Sequence, residues 1–178
     1  MIKKEIVVPK GISYVNEIED FQLPNGILNK GITNCGATTL ALEDKHKTII
    51  CSPRNNLIVN KHEQYGETML VIGGCKDSDI RKYIESKDVP KILVSYDSFP
   101  KVVECIDDKS EWRIVVDEFQ YLLADSSFKS ETEIRFMECL KQFNYVTYLS
   151  ATPILDKYIS QIDFFKDIPY YYMTWQEV

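Results

Sequence analysis

No stretch of this 178-residue sequence approaches the roughly 20 consecutive apolar residues that a helix needs to span a bilayer, so no membrane partner is expected. The opening Met1-Ile2-Lys3-Lys4-Glu5-Ile6-Val7-Val8-Pro9 has the basic start of a secretory leader. Its apolar run is far too short for one and ends at proline. C-x-x-C pairs are also missing. The five cysteines, Cys35, Cys51, Cys75, Cys105 and Cys139, are scattered and odd in number. That argues against a disulfide framework or a thiolate metal centre and makes a reducing cytoplasm the expected setting. Histidine is scarce: His46 and His62 stand apart in charged surroundings, without ligand-spaced partners, and read as surface residues. Positive charge is short as well, with 21 Lys and Arg against 27 Asp and Glu and a net charge of −6. No global basic field draws such a chain onto nucleic acid or an anionic membrane. A nucleic-acid partner would need a local patch or a second domain. Repeats, low-complexity tracts and long linkers are absent too, and the expectation is a single domain over residues 1–178.

What the sequence does have is a 44% hydrophobic content, enough to bury a sizeable core. Short β-branched runs alternate with amphipathic segments, the pattern of a parallel sheet covered by helices. Strands are expected at Gly26–Asn29, Thr48–Ser52, Thr68–Ile72, Lys91–Ser95, Arg113–Asp117 and Tyr145–Ser150. Ile49-Ile50-Cys51, Leu70-Val71-Ile72, Ile92-Leu93-Val94 and Ile114-Val115-Val116 are continuously apolar, as in strands buried on both faces. Helices are expected at Thr38–Asp44, Asn55–Gln64, Ser78–Ser86, Lys101–Asp107, Glu131–Phe143 and around Leu155–Phe165. Glu131–Phe143 is the clearest, with Ser130 and Glu133 as a capping box and Ile134, Met137, Cys139, Leu140 and Phe143 as its apolar stripe. The fold class expected is therefore α/β, a three-layer sandwich with a predominantly parallel sheet and helices on both faces.

Gly31-Ile32-Thr33-Asn34-Cys35-Gly36-Ala37-Thr38-Thr39 has the frame of a phosphate-binding loop but carries Ala37 where G-x-x-x-x-G-K-[ST] demands lysine. It follows a short strand and precedes a helix, the context such a loop requires. Gly31 and Gly36 let backbone amides turn toward phosphates, and Thr38 stands where a hydroxyl would ligate Mg²⁺. Equally, this is a glycine-containing turn between strand and helix. The missing lysine normally places a point charge on the β- and γ-phosphates. Lys30, just before Gly31, either reaches over the phosphates or is a plain strand-end lysine.

Ile114-Val115-Val116 leads into Asp117-Glu118, which sets two carboxylates at the C-terminal edge of a buried strand, where parallel sheets hold ligands. Asp117 there suits Mg²⁺, and Glu118 suits orienting and deprotonating an attacking water. A solvated strand end is the plainer reading of the pair taken alone. Ser150-Ala151-Thr152-Pro153 ends a further apolar strand, and three such motifs in order are hard to obtain by accident.

Together these segments resemble the first motor domain of superfamily 2 helicases and translocases, the DEAD-like, RecA-like branch of P-loop NTPases. The resemblance covers roughly Gly26 to Pro153. It implies that Gly31, Thr33, Asn34, Cys35, Gly36, Ala37, Thr38 and Thr39 bind ATP, that Thr38 and Asp117 hold Mg²⁺, and that Asp117 and Glu118 serve hydrolysis. Ser150, Ala151 and Thr152 correspond to the segment coupling hydrolysis to strand movement. Cys51-Ser52-Pro53-Arg54-Asn55-Asn56-Leu57 and Val94-Ser95-Tyr96-Asp97-Ser98-Phe99 resemble the strand-contacting motifs, which implies DNA or RNA contacts at Pro53, Arg54, Ser95 and Tyr96. The chain departs from the family at Ala37 and at Asn34, where glycine is usual. Family members carry a second motor domain, so this chain is expected to be a fragment or a lone domain whose ATP turnover depends on a partner. The competing expectation is a degenerate nucleotide- or protein-binding module without turnover. Tyr170-Tyr171-Tyr172 and Trp175 read as a terminal strand, as a contact surface for a second domain, or as base-stacking groups. Cys35 reads as a small space-filling residue or as a thiol activated by helix-terminal amides.

Overall fold

The computed structural model describes residues 3–33, 35–123, 130–151, 159 and 162–176. Strands β1 (Lys3–Val8), β2 (Gly26–Asn29), β3 (Lys47–Ser52), β4 (Met69–Val71), β5 (Lys91–Ser95), β6 (Trp112–Val116), β7 (Val146–Ser150) and β8 (Tyr170–Trp175) form one sheet. It has eight strands in the order β1-β8-β2-β7-β6-β3-β5-β4. Every pairing is parallel.

Strand alternation sorts the apolar residues into two cores. Leu28, Ile50, Leu93, Val115 and Leu149 face one side, beneath α1 (Ala37–Glu43) and α2 (Asn55–Gln64). Ile27, Ile49, Ile92, Ile114 and Tyr148 face the other, beneath α3 (Asp77–Ser86), α4 (Phe99–Glu104), α5 (Glu131–Leu140) and α6 (Asp163–Lys166). The three-layer α/β architecture follows directly from those continuous apolar runs, whose odd and even members each need a cover.

Several elements differ from expectation. β1 was not foreseen, because its Lys3-Lys4-Glu5 start is exposed at the sheet edge and carries little apolar signal. The tyrosine run is β8, with Tyr170 and Met173 buried, and of its readings the terminal strand is the one found. In α5 the buried residues are Phe136, which the expected stripe lacked, and Leu140, which it included, whereas Ile134 of that stripe is 48% exposed. Phe136 stacks on Tyr96 at 4.3 Å and meets Phe99 edge-on at 5.2 Å. Such an aromatic contributes about 1.5–3 kcal/mol by burial. Ser130 caps α5 as expected, its hydroxyl accepting from the Glu133 amide. Most of the expected Leu155–Phe165 helix lies outside the described residues, and α6 is the described part near its end.

Lys91 was read simply as the start of a strand, yet it is almost wholly buried. Its ammonium donates to the carbonyls of Ala41 and His46, to Asp44 Oδ1 and to Thr48 Oγ1. It thereby ties the C-terminal end of α1 to β3 and β5, where a cation suits the helix dipole.

Candidate nucleotide site at the carboxyl edge of the sheet

Parallel pairing brings the candidate motifs to one edge. Asn29 at the end of β2 is level with Ser150 at the end of β7. Cys51 is level with Val116, and Ser52 with Ser95. The chain leaves β2 into the loop while the Lys30 amide donates to the Ser150 carbonyl at 2.7 Å. Gly31 follows at φ 78°, where a Cβ would stand 3.0 Å from the Met173 carbonyl and 3.3 Å from the Trp175 ring. Trp175 Nε1 donates to the Lys30 carbonyl at 2.7 Å. Trp175 thus braces the loop entry.

Gly36 caps α1 at φ 85°, and a Cβ there would lie 2.6 Å from Asn16 Oδ1. The Val15 amide donates to the Cys35 carbonyl at 2.7 Å, which lays Tyr14-Val15-Asn16 alongside the loop. Cys35, Gly36, Ala37, Thr38 and Thr39 line a cavity of about 440 Å³ together with Tyr14, Asn16, Lys30, Ser52, Leu57, Ile58, Lys61 and Asp117. Gly31 and Thr33 are exposed and lie outside that lining, and Asn34 falls outside the described residues. Thr38 and Asp117, the two oxygen donors expected to share a metal, therefore face one space.

Ala37 is 3% exposed, so the position of the usual lysine is occupied by a methyl group embedded in the core. Cations reach the cavity from elsewhere, Lys30 from the end of β2 and Lys61 from α2. The Lys30 charge also acts on Cys35 and Glu118, favouring their ionised forms. Burial nonetheless dominates at Cys35 and raises its thiol above the ordinary value. An activated cysteine does not fit this position. Tyr14, Asn16 and Lys61 were missed as site residues: each is a single polar or aromatic residue, and only the folded contacts bring it to the loop.

The acidic strand end is tightly held. The Asp117 amide donates to the Cys51 carbonyl at 2.8 Å, and the Tyr96 hydroxyl donates to the Asp117 carbonyl at 2.6 Å. The Glu118 amide donates to Asp117 Oδ1 at 3.0 Å. Glu118 itself sits in the left-handed region, φ 52° and ψ 45°, a conformation few side chains adopt without support. Glu118 is not among the residues that line the cavity, and its carboxylate pairs with Arg54, whose Nε lies 3.3 Å from Oε2. Burial raises the Glu118 carboxyl, and Arg54 partly offsets the rise. Arg54 also donates to the Tyr121 hydroxyl and rests over the Tyr121 ring at 5.5 Å. Gln120 Oε1 is buried without a hydrogen-bond partner among the described residues.

Pro53 and Arg54 are accessible at this edge, whereas the Ser95 and Tyr96 side chains are buried, 4% and 8% exposed. Tyr96 supports the acidic strand end from within. Ser150 is buried beside β2, Ala151 is half-buried, and Thr152 falls outside the described residues. Among the described residues no helix is long and apolar enough to cross a membrane, and no cluster of His, Cys, Asp and Glu of metal-binding form occurs.

No family model matches this sequence, and no curated protein does. Among solved structures, the helicase domain of Hef from Pyrococcus furiosus is similar, with a TM-score of 0.58 at 12% identity. The match covers 84% of this chain and 34% of that one, so this chain corresponds to about a third of that helicase domain. At such low identity the likeness speaks for architecture: this chain has a helicase-like, RecA-type α/β fold built on one parallel sheet.

Proposed function

We propose that this domain binds ATP with Mg²⁺ in the cavity between the loop and Asp117, and serves as the first motor domain of a nucleic-acid helicase or translocase. The observation that carries the reading is the shared cavity: Cys35–Thr39 and Asp117 line one space of about 440 Å³, within the 300–1,000 Å³ usual for small-ligand sites. The donor set fits the ligand. The left-handed Gly36 keeps the approach to the loop free of a Cβ, Lys30 and Lys61 bring positive charge, and Thr38 and Asp117 offer hard oxygen atoms to a divalent cation.

In this reading Thr38 and Asp117 hold Mg²⁺, which when bound neutralises phosphate charge. Lys30 does the work of the absent loop lysine, with Lys61 as its neighbour across the cavity. Glu118 orients the attacking water and takes its proton, once a second domain completes the site. Ser150, Ala151 and Thr152 couple hydrolysis to strand movement, Ser150 being paired with the end of the loop strand. DNA or RNA runs along the carboxyl edge past Pro53 and Arg54, with Ser95 and Tyr96 supporting that surface from beneath.

The second reading, a nucleotide- or protein-binding module without turnover, draws on the embedded Ala37 and on the placement of Glu118 outside the cavity lining. Calorimetric titration with ATP–Mg²⁺ tests the site. The expected result is weak binding that drops about tenfold in Lys30→Ala, the worth of one charge-assisted hydrogen bond. Unchanged affinity in that variant would remove Lys30 from the phosphates. Hydrolysis by the full-length protein, lost in Glu118→Gln with nucleotide still bound, separates the motor from the module.

A further inference from the structure

We infer that Arg54 is shared between Glu118 and a nucleic-acid phosphate, so that a bound strand and the Glu118 carboxylate compete for one guanidinium. This inference rests on the motor reading above and adds the means by which strand binding is sensed at the carboxylate.

The two members of the ion pair are held very differently. Glu118 is fixed by its backbone: the left-handed conformation, the bond from its amide to Asp117 Oδ1, and the anchoring of Asp117 by Cys51 and Tyr96. Its side chain is 24% exposed. Arg54 stands on the connection out of β3, its side chain 52% exposed, and among the described residues the other contacts of that side chain are to Tyr121, itself 42% exposed. Arg54 is therefore the member free to move. A guanidinium suits this exchange because its planar fork serves carboxylate and phosphate alike. The charged groups acting on Glu118 are Arg54, Asp117 and Lys30. Of the two cations, Lys30 belongs to the cavity and Arg54 to the outer edge. A strand phosphate that draws Arg54 away leaves Glu118 without its outer partner and able to turn toward a water. Reciprocity follows from linkage: the factor by which a bound strand weakens the Glu118–Arg54 pair is the factor by which that pair weakens the strand.

The test is a binding cycle that needs no hydrolysis. Affinity of the full chain for a fluorescent oligothymidylate, and for its oligouridylate counterpart, is measured for wild type, Glu118→Gln, Arg54→Ala and the double variant. Glu118→Gln should tighten binding about fivefold, the upper range for an ion pair at the surface, here with Arg54 exposed and Glu118 partly buried, while the same change in the Arg54→Ala background should have little effect. A general gain from removing a negative charge would appear equally in both backgrounds and cancels in the cycle. The salt dependence should steepen by about one phosphate contact in Glu118→Gln. Tyr121→Phe, which removes only the hydroxyl that holds Arg54, should move affinity in the same direction. Equal effects of Glu118→Gln in both backgrounds would overturn the inference, as would failure of wild type and Glu118→Gln to bind either oligomer. ATP–Mg²⁺ titration of the same samples judges the nucleotide site separately, so coupling without nucleotide binding would sink that reading alone.

Discussion

Gly36 stands at φ 85° with Asn16 Oδ1 2.6 Å from where a Cβ would lie and Tyr14 Cβ at 3.2 Å. Gly36→Ala therefore imposes a left-handed alanine and displaces the segment lying along the loop. The expected loss is about 1–3 kcal/mol of stability, read from urea unfolding. An unchanged midpoint would mean that the loop relaxes without cost. The cysteines give a second residue-scale prediction. Burial raises all five thiols, and Cys35, Cys51 and Cys105 are enclosed while Cys75 and Cys139 are half-buried. Iodoacetamide at neutral pH should label Cys75 and Cys139 first, with rates rising toward alkaline pH as thiolate forms. Rapid labelling of Cys35 would contradict the buried loop. The loop, the acidic pair and the Ser150-Ala151 strand end were legible at this scale because each joins diagnostic residue types in a short run. Lys61, Tyr14 and Asn16 were not, since a lone side chain shows no partner until the chain folds.

At the scale of elements, Lys91 is the unforeseen fastening. Burial pulls its ammonium below the ordinary value, and Asp44 partly restores it. Lys91→Met would leave the carbonyls of Ala41 and His46 short of a donor and Asp44 without its cation. Removing one partner of such a buried network costs about 3–5 kcal/mol. Thermal unfolding should therefore fall by many degrees, and wild-type stability in Lys91→Met would refute the fastening. Reading the apolar pattern found the central strands because both their faces are apolar. It missed β1 because an edge strand needs less apolar cover. In α5 it favoured Ile134 over Phe136, since an apolar residue shows nothing of which way it faces when both sides of the helix carry one.

At the scale of the whole molecule every strand among the described residues is parallel, so every strand end that carries a motif meets at one edge, and the cavity forms where the loop after β2 faces Asp117 after β6. Alternating strands and helices implied that meeting. They did not imply that β8 would lie between β1 and β2, or that Trp175 would brace the loop, because strand order depends on contacts far apart in sequence. A net charge of −6 leaves any nucleic-acid contact to local groups such as Arg54. Placing a cation in the loop is informative at this scale. Ala37 is embedded in the core yet borders the cavity, so the Ala37→Lys side chain reaches the phosphates only through that cavity, and ATP–Mg²⁺ affinity should then rise about tenfold. A destabilised protein with no gain in affinity would place the phosphates elsewhere.

The central claim is that the cavity between the loop and Asp117 is the nucleotide site, and an amide NMR titration of the chain with ATP–Mg²⁺ tests it most directly, because it registers weak binding residue by residue. The account predicts saturable shifts at Cys35–Thr39, Lys30 and Asp117, reduced when Mg²⁺ is withheld or Asp117 is changed to Asn. Amides at the loop and Asp117 that stay still at millimolar nucleotide, or shifts gathered on another face of the sheet, would contradict it.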